Sequence, residues 1–156
     1  MTPLQKQIDT EIKLLVTELL EAYEAKGMRA SGKWAESLDS EVIGNKGVIT
    51  GESYTEQLEY GRSAGGFPPI EQIEQWIQDK GILAIDADIT LKSLAFLIAR
   101  KIARQGYNRA GFGGVELVSQ VLTPQRIQEA IKGITGVVAV EITTLIKSNL
   151  NELLKS

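Results

Sequence analysis

Paired carboxylates close enough in sequence to act together are plentiful, for example Glu71 with Glu74 and Asp86 with Asp88. Paired carboxylates do general acid–base work when a cleft holds them on either side of a scissile bond. A D-x-D pair holds a divalent cation when other oxygen ligands converge on it. Neither pair has that setting, since the first falls on a surface helix and the second in a polar turn. Gly61–Pro69 and Gly111–Gly114 offer backbone N–H groups to an anion, but neither has the G-x-x-x-x-G-K-[ST] order of a phosphate loop. The chain has no His and no Cys. That removes the commonest general base and metal ligand, every Ser-His-Asp triad, all disulfides and all thiolate chemistry. The expectation is a protein that performs no catalysis and holds no cofactor and no metal.

Charge and aromatic side chains point to contact instead. The formal net charge is −3, but the charges are segregated. Residues 71–88 carry Glu71, Glu74, Asp79, Asp86 and Asp88 against Lys80. Residues 89–115 carry Lys92, Arg100, Lys101, Arg104 and Arg109 with no acid. Arg100, Lys101 and Arg104 crowd the end of a helix, where they complement its dipole. The same cluster also suits a DNA backbone or the acidic segment of a neighbouring copy. Trp34, Tyr54, Tyr60 and Phe67 surround a predicted hairpin. They read either as the anchor of a small sheet or as an interface, where Trp, Tyr and Arg are enriched.

The elements that position these residues are predicted from periodicity and caps. The chain has 156 residues, 43% of them hydrophobic, which fits one globular domain. Leu4, Ile8, Ile12, Leu15, Leu19 and Tyr23 recur at helical steps, and Gly27 closes that helix with Met28 turned back onto Tyr23. Short strands at Leu38–Ile43 and Val48–Ser53 flank Gly44-Asn45-Lys46-Gly47, a hairpin turn. Ser53 and Glu56 have capping-box spacing for a short helix to Tyr60. Gly61–Pro69 reads as a loop. Helices follow at 70–80, ended by Gly81, and at 90–105, ended by Gly106, with the Asp86–Asp88 turn before the second. Tyr107–Gly114 reads as a loop. A helix capped by Thr123-Pro124 is expected to stop at Gly133, before a final amphipathic helix from Val138. The expected fold class is α+β, with a small antiparallel sheet (hairpin about 38–53) packed with a long N-terminal helix and several C-terminal helices. A single domain over 1–156 is expected: an N-terminal helix (1–28), a hairpin and Pro/Gly loop (29–69) and a helical part (70–156). No leader or membrane span is expected.

One stretch resembles a known family. Ala30-Ser31-Gly32-Lys33-Trp34-Ala35-Glu36-Ser37-Leu38 resembles the T/S-G-x-L-x-x-S-I/L opening of tailed-bacteriophage neck and minor tail components, the tail-completion or head–tail joining proteins. In that family a hairpin follows, then a Y-x-x-x-x-E-x-G-T/S segment, a glycine stretch and a Pro-Pro pair. Here Tyr54-Thr55-Glu56-Gln57-Leu58-Glu59-Tyr60-Gly61-Arg62-Ser63 and Pro68-Pro69 stand in those places. The family continues with a P-F-L segment, whereas here Pro69 leads directly into Ile70–Lys80; Leu94-Ala95-Phe96-Leu97 corresponds only loosely to the family's helix start. The similarity covers about a quarter to a half of the chain.

The resemblance implies a structural virion protein: a ring-forming homo-oligomeric subunit of the head–tail connector, assembled in the host cytoplasm. Its implied partners are the portal or an adaptor and tail proteins. The residues expected at interfaces are Trp34, Tyr60, Gly61, Arg62, Phe67, Pro68, Pro69, Arg100, Lys101 and Arg104, with the Pro/Gly loop as a projecting arm ordered on assembly. The competing expectation is an accessory protein that makes a nonspecific nucleic-acid contact through the basic 92–109 segment. A hydrolase using Asp86 and Asp88 with a divalent metal is a third, weaker one.

Overall fold

The apolar stripe beginning at Leu4 becomes one side of a long helix, α1, in the computed structural model, which describes residues 1–82, 88–108, 114 and 116–154. In chain order the elements are α1 (Pro3–Ala25), α2 (Lys33–Ser37), β1 (Asp39–Ile43), β2 (Lys46–Thr50), α3 (Thr55–Tyr60), α4 (Ile70–Asp79), α5 (Leu91–Gln105), α6 (Leu117–Val121) and α7 (Pro124–Leu153). The fold is α+β, mostly helical, with one two-stranded antiparallel sheet. The backbone forms two compact units that interleave in sequence. Met1–Glu18, Asp39–Thr50 and Val121–Ser156 make the first; Leu19–Leu38 and Gly51–Gln120 make the second.

In the first unit the hairpin solves its own instability by lying on α1, as an isolated two-stranded ribbon is marginal in water. Its register pairs Asp39 with Thr50 and Ile43 with Lys46 around the two-residue turn Gly44-Asn45. Gly44, at φ +61°, supplies the positive φ that such turns need. The Gln5 side chain donates to Gly44 O at 3.0 Å. Gly47 lets the strand approach closely: a Cβ there would come within 2.4 Å of Ile12 Cγ2 and 3.0 Å of Ile8 Cγ2. Ile8 and Ile12 are buried.

Helix α7 packs on α1 in the same unit. Thr123 caps it, its hydroxyl accepting from Arg126 N at 3.1 Å, with Pro124 in the first turn. Arg126 then reaches Glu18 and Glu11 of α1. The expected stop at Gly133 does not occur, and α7 runs unbroken for 30 residues. Gly133 serves close packing instead, since a Cβ there would lie 2.6 Å from Glu11 Oε1. Beyond it, Ile142, Leu145, Ile146 and Leu150 are more than half exposed.

The second unit has its core in Tyr23, Met28, Trp34, Ile77, Ala95, Ala99 and Leu117, all buried. The end of α1 forms the expected motif, with Gly27 N bonding Glu24 O and Met28 N bonding Tyr23 O. The end of α4 repeats it, with Gly81 N to Gln78 O and Ile82 N to Ile77 O. α5 differs: Gly106 N bonds Ile102 O, but Tyr107 N turns away to Arg62 O. Its start is capped by Thr90, whose hydroxyl accepts from Ser93 N. Asp86 and Ala87 of the expected turn, and residues 109–113 of the expected loop, lie outside the described residues. The capping box does not form. Tyr54 occupies the N-cap of α3 without a side-chain bond. The neighbouring Thr55 hydroxyl instead donates to Glu52 O and accepts from Trp34 Nε1.

Candidate functional site

Gly61 and Gly106 bring together the loop and the helix that carry most of the expected interface residues. Arg62 and Tyr107 pair as an isolated antiparallel bridge, N–H to O at 3.0 and 2.8 Å. Each is preceded by a glycine with positive φ, and each glycine faces the other strand's carbonyl. A Cβ at Gly61 would sit 2.2 Å from Tyr107 O, and one at Gly106 would sit 1.9 Å from Arg62 O. Two backbones can approach this closely only where neither has a side chain.

The bridge starts a strap that runs over α5. Gly65 N donates to Ala103 O at 2.9 Å, and the Arg62 guanidinium donates to Gly66 O at 2.9 Å. Phe67 then lies against Phe96 of α5, ring centroids 5.6 Å apart. Pro68 is buried and Pro69 leads into α4. The Pro/Gly stretch is therefore a folded strap bonded to α5, not a free arm.

The outer face of α5 follows from helical spacing. Lys92, Phe96, Arg100 and Arg104 recur every four residues and are all exposed, with Leu97 and Lys101 beside them. Phe67 is 48%, Phe96 44% and Leu97 42% exposed. Among the described residues, Lys92, Arg100, Lys101 and Arg104 make no ion pair. The face thus joins unpaired cations to a half-exposed aromatic pair.

Of the ten residues expected at interfaces, Phe67, Arg100, Lys101 and Arg104 share this face, and Arg62 and Gly61 shape its strap. Tyr60 ends α3 and is 71% exposed. Trp34 does not belong to an exposed surface. It is 1% exposed, packs on Tyr23 with centroids 4.6 Å apart, and donates to Thr55 Oγ1 at 2.9 Å. Phe96 and Leu97 complete the face without having been singled out as contact residues; the signal was their position between Lys92 and Arg100 on one helix side.

A cavity of about 640 Å³ opens elsewhere in this unit, walled by Tyr23, Trp34, Tyr54, Trp76 and Tyr107. Burial raises the phenols of Tyr23, Tyr54 and Tyr107 above their ordinary value of 10.0. Among the described residues Asp79 is the one carboxylate in its lining, and it accepts from Gln75 Nε2. Paired-carboxylate chemistry is not assembled there. Among the described residues no group of three or more acids could hold a metal ion, and no helix is long and apolar enough to cross a membrane.

No protein-family model, no curated protein and no solved structure matches this chain.

Proposed function

We propose that this chain is a structural virion protein, a subunit that forms a ring in the head–tail connector of a tailed bacteriophage and joins portal to tail. Its work is mechanical, and no reaction is asked of it. The observation that carries this reading is local. The stretch that resembles the neck family, residues 28–69, includes in its second half Tyr60 and Phe67, 71% and 48% exposed. Phe67 lies beside the cations of α5, which make no ion pair among the described residues. A monomer gains nothing by exposing large aromatic side chains next to exposed charge, whereas a subunit with neighbours covers both. The exposed apolar side of α7 supports the same reading.

The test is assembly. Size-exclusion chromatography with light scattering, electron microscopy of the purified chain, and mixing with portal or tail-tube protein should give rings or co-assembled particles. A chain that stays monomeric at every concentration and joins neither partner would overturn the reading.

The α5 face also favours a second reading, an accessory protein bound nonspecifically to nucleic acid through residues 92–109. Binding to duplex DNA that survives physiological salt would support it, and loss of binding there would remove it.

A further inference from the structure

Helix α4, the start of the acidic segment 71–88, is a poor counterpart for the basic face. Helix α4 packs on α5 in the same chain. Its exposed side carries Gln72, Gln75 and Gln78 beside Glu71 and Asp79, and Asp79 already accepts from Gln75. A better counterpart lies elsewhere in the same unit. Glu56 and Tyr60 lie one helical turn apart on α3 and Glu52 just before it, and all three are exposed. Neither acid forms an ion pair among the described residues. Tyr60 is the most exposed aromatic side chain described.

We propose that the face of α5 formed by Phe67, Phe96, Arg100 and Arg104 docks the Glu52–Glu56–Tyr60 ridge of a second copy of this chain. This rests on the ring reading above and names the contact that would build the ring. The two surfaces match in kind: two acids precede one exposed aromatic side chain on the ridge, and cations stand beside an aromatic pair on the face. Opposite charges set register and speed encounter, while Tyr60 against Phe67 and Phe96 supplies the buried anchor. Because the two surfaces differ, the contact is heterologous, so each copy keeps one of each free for the next, and a closing rotation gives a ring. Duplex DNA suits the face less well. Phosphates would neutralise the cations and leave Phe67, Phe96 and Leu97 uncovered.

Charge exchange tests the contact, with association measured by light scattering across concentration. All four charged positions are exposed, so the fold is retained. Arg100→Glu with Arg104→Glu, and separately Glu52→Lys with Glu56→Lys, should each weaken self-association by about 10–100-fold. The four changes in one chain should restore it. The absence of native Cys allows a second measurement. A flexible bis-maleimide should link E56C to R100C when the two proteins are mixed, and link neither variant to itself. Loss without restoration, or self-linking of E56C, overturns this contact. If wild-type rings form all the same, the ring reading stands without it; if the wild type is strictly monomeric, both fall. Duplex DNA binding lost on reversal at 100 and 104, with no effect on self-association, assigns the face to nucleic acid and also overturns the proposal.

Discussion

The carboxylate of Glu59 accepts the backbone N–H of Ser119, 60 residues further along the chain, at 3.1 Å. It also accepts the N–H of Val118 at 2.6 Å and the Ser119 hydroxyl. Glu59 is 5% exposed, and no cation stands beside it in any described ion pair. It is stabilised instead by the free N–H groups of the first turn of α6, which every helix start leaves without a partner. The segment arriving there is strained, with Glu116 at φ +52°. Its N–H bonds Glu59 O at 3.0 Å. One glutamate thus caps a helix from another part of the chain and ties α3 to α6.

Removing that carboxylate leaves buried donors unmet. Glu59→Ala is expected to destabilise the fold by about 3 kcal/mol, read as a lower urea midpoint at unchanged slope. Glu59→Gln keeps the shape and part of the bonding, and should cost less than half as much. Equal effects of the two variants would show that the carboxylate's charge-assisted bonds, and not the shape of the side chain, carry the whole contribution at this position.

The glycines that flank the bridge give a paired prediction. Gly106→Ala forces a side chain into φ +65° and into contact with Arg62 O. It should cost about 3 kcal/mol, adding backbone strain to a lost bridge. Gly27→Ala meets the same kind of φ, +63°, but nothing lies within 4 Å of its Cβ. Only the conformational term remains there, about 1 kcal/mol. Thermal melts of the two variants separate close approach from left-handed backbone, and similar losses would show that the bridge contributes nothing.

These cases show what the sequence could and could not carry. The local devices were legible. Gly27 and Gly81 with their following apolar residues, Thr123-Pro124, and the Gly44-Asn45 turn all act within a few residues of themselves. What failed depended on distant partners. Gly133 reads as a helix end in isolation, but α1 passing beside it makes it a packing glycine inside α7. Ser53 and Glu56 have the spacing of a capping box, yet the Trp34 indole claims the Thr55 hydroxyl and the turn reorganises around that bond. Glu59 looks like one more surface acid until α6 arrives over it. The basic face was visible as charge; that the strap would lay Phe67 on its middle was not, because the Arg62–Tyr107 bridge joins residues 45 apart.

Arg126 offers a test of geometry at fixed charge. Its Nε lies 2.9 Å from both carboxylate oxygens of Glu18, and its Nη1 is 3.7 Å from Glu11. The planar fork serves both acids from one half-buried position, which a lysine cannot do. Arg126→Lys should therefore lower stability by about 1–2 kcal/mol despite conserving charge. Equilibrium denaturation at low and high salt would check it. A loss that disappears in salt would mean exposed-pair behaviour rather than a seated fork.

The buried phenols set the alkaline limit of the second unit. Tyr23, Tyr54 and Tyr107 are each raised above 10.0, chiefly because burial disfavours the phenolate. Between 10 and their higher folded values the native state holds protons that the unfolded chain has released. Stability is therefore full below pH 10 and falls as pH rises above it. Lys80 acts with the opposite sign. Burial lowers its amine below 10.5, so its contribution is present above that value and declines as pH falls toward its folded one. Lys80 opposes the phenols only below 10.5, so the net expectation is a stability that falls as pH rises above 10.5. Urea midpoints across that range, with phenolate absorbance followed in parallel, should show ionisation and unfolding coinciding. Tyr107→Phe should flatten the fall, because one of the three protons no longer has to be lost. A midpoint that does not fall above 10.5 would mean that the phenols lose their protons as easily in the fold as in the unfolded chain, with cavity walls wetter than their burial implies.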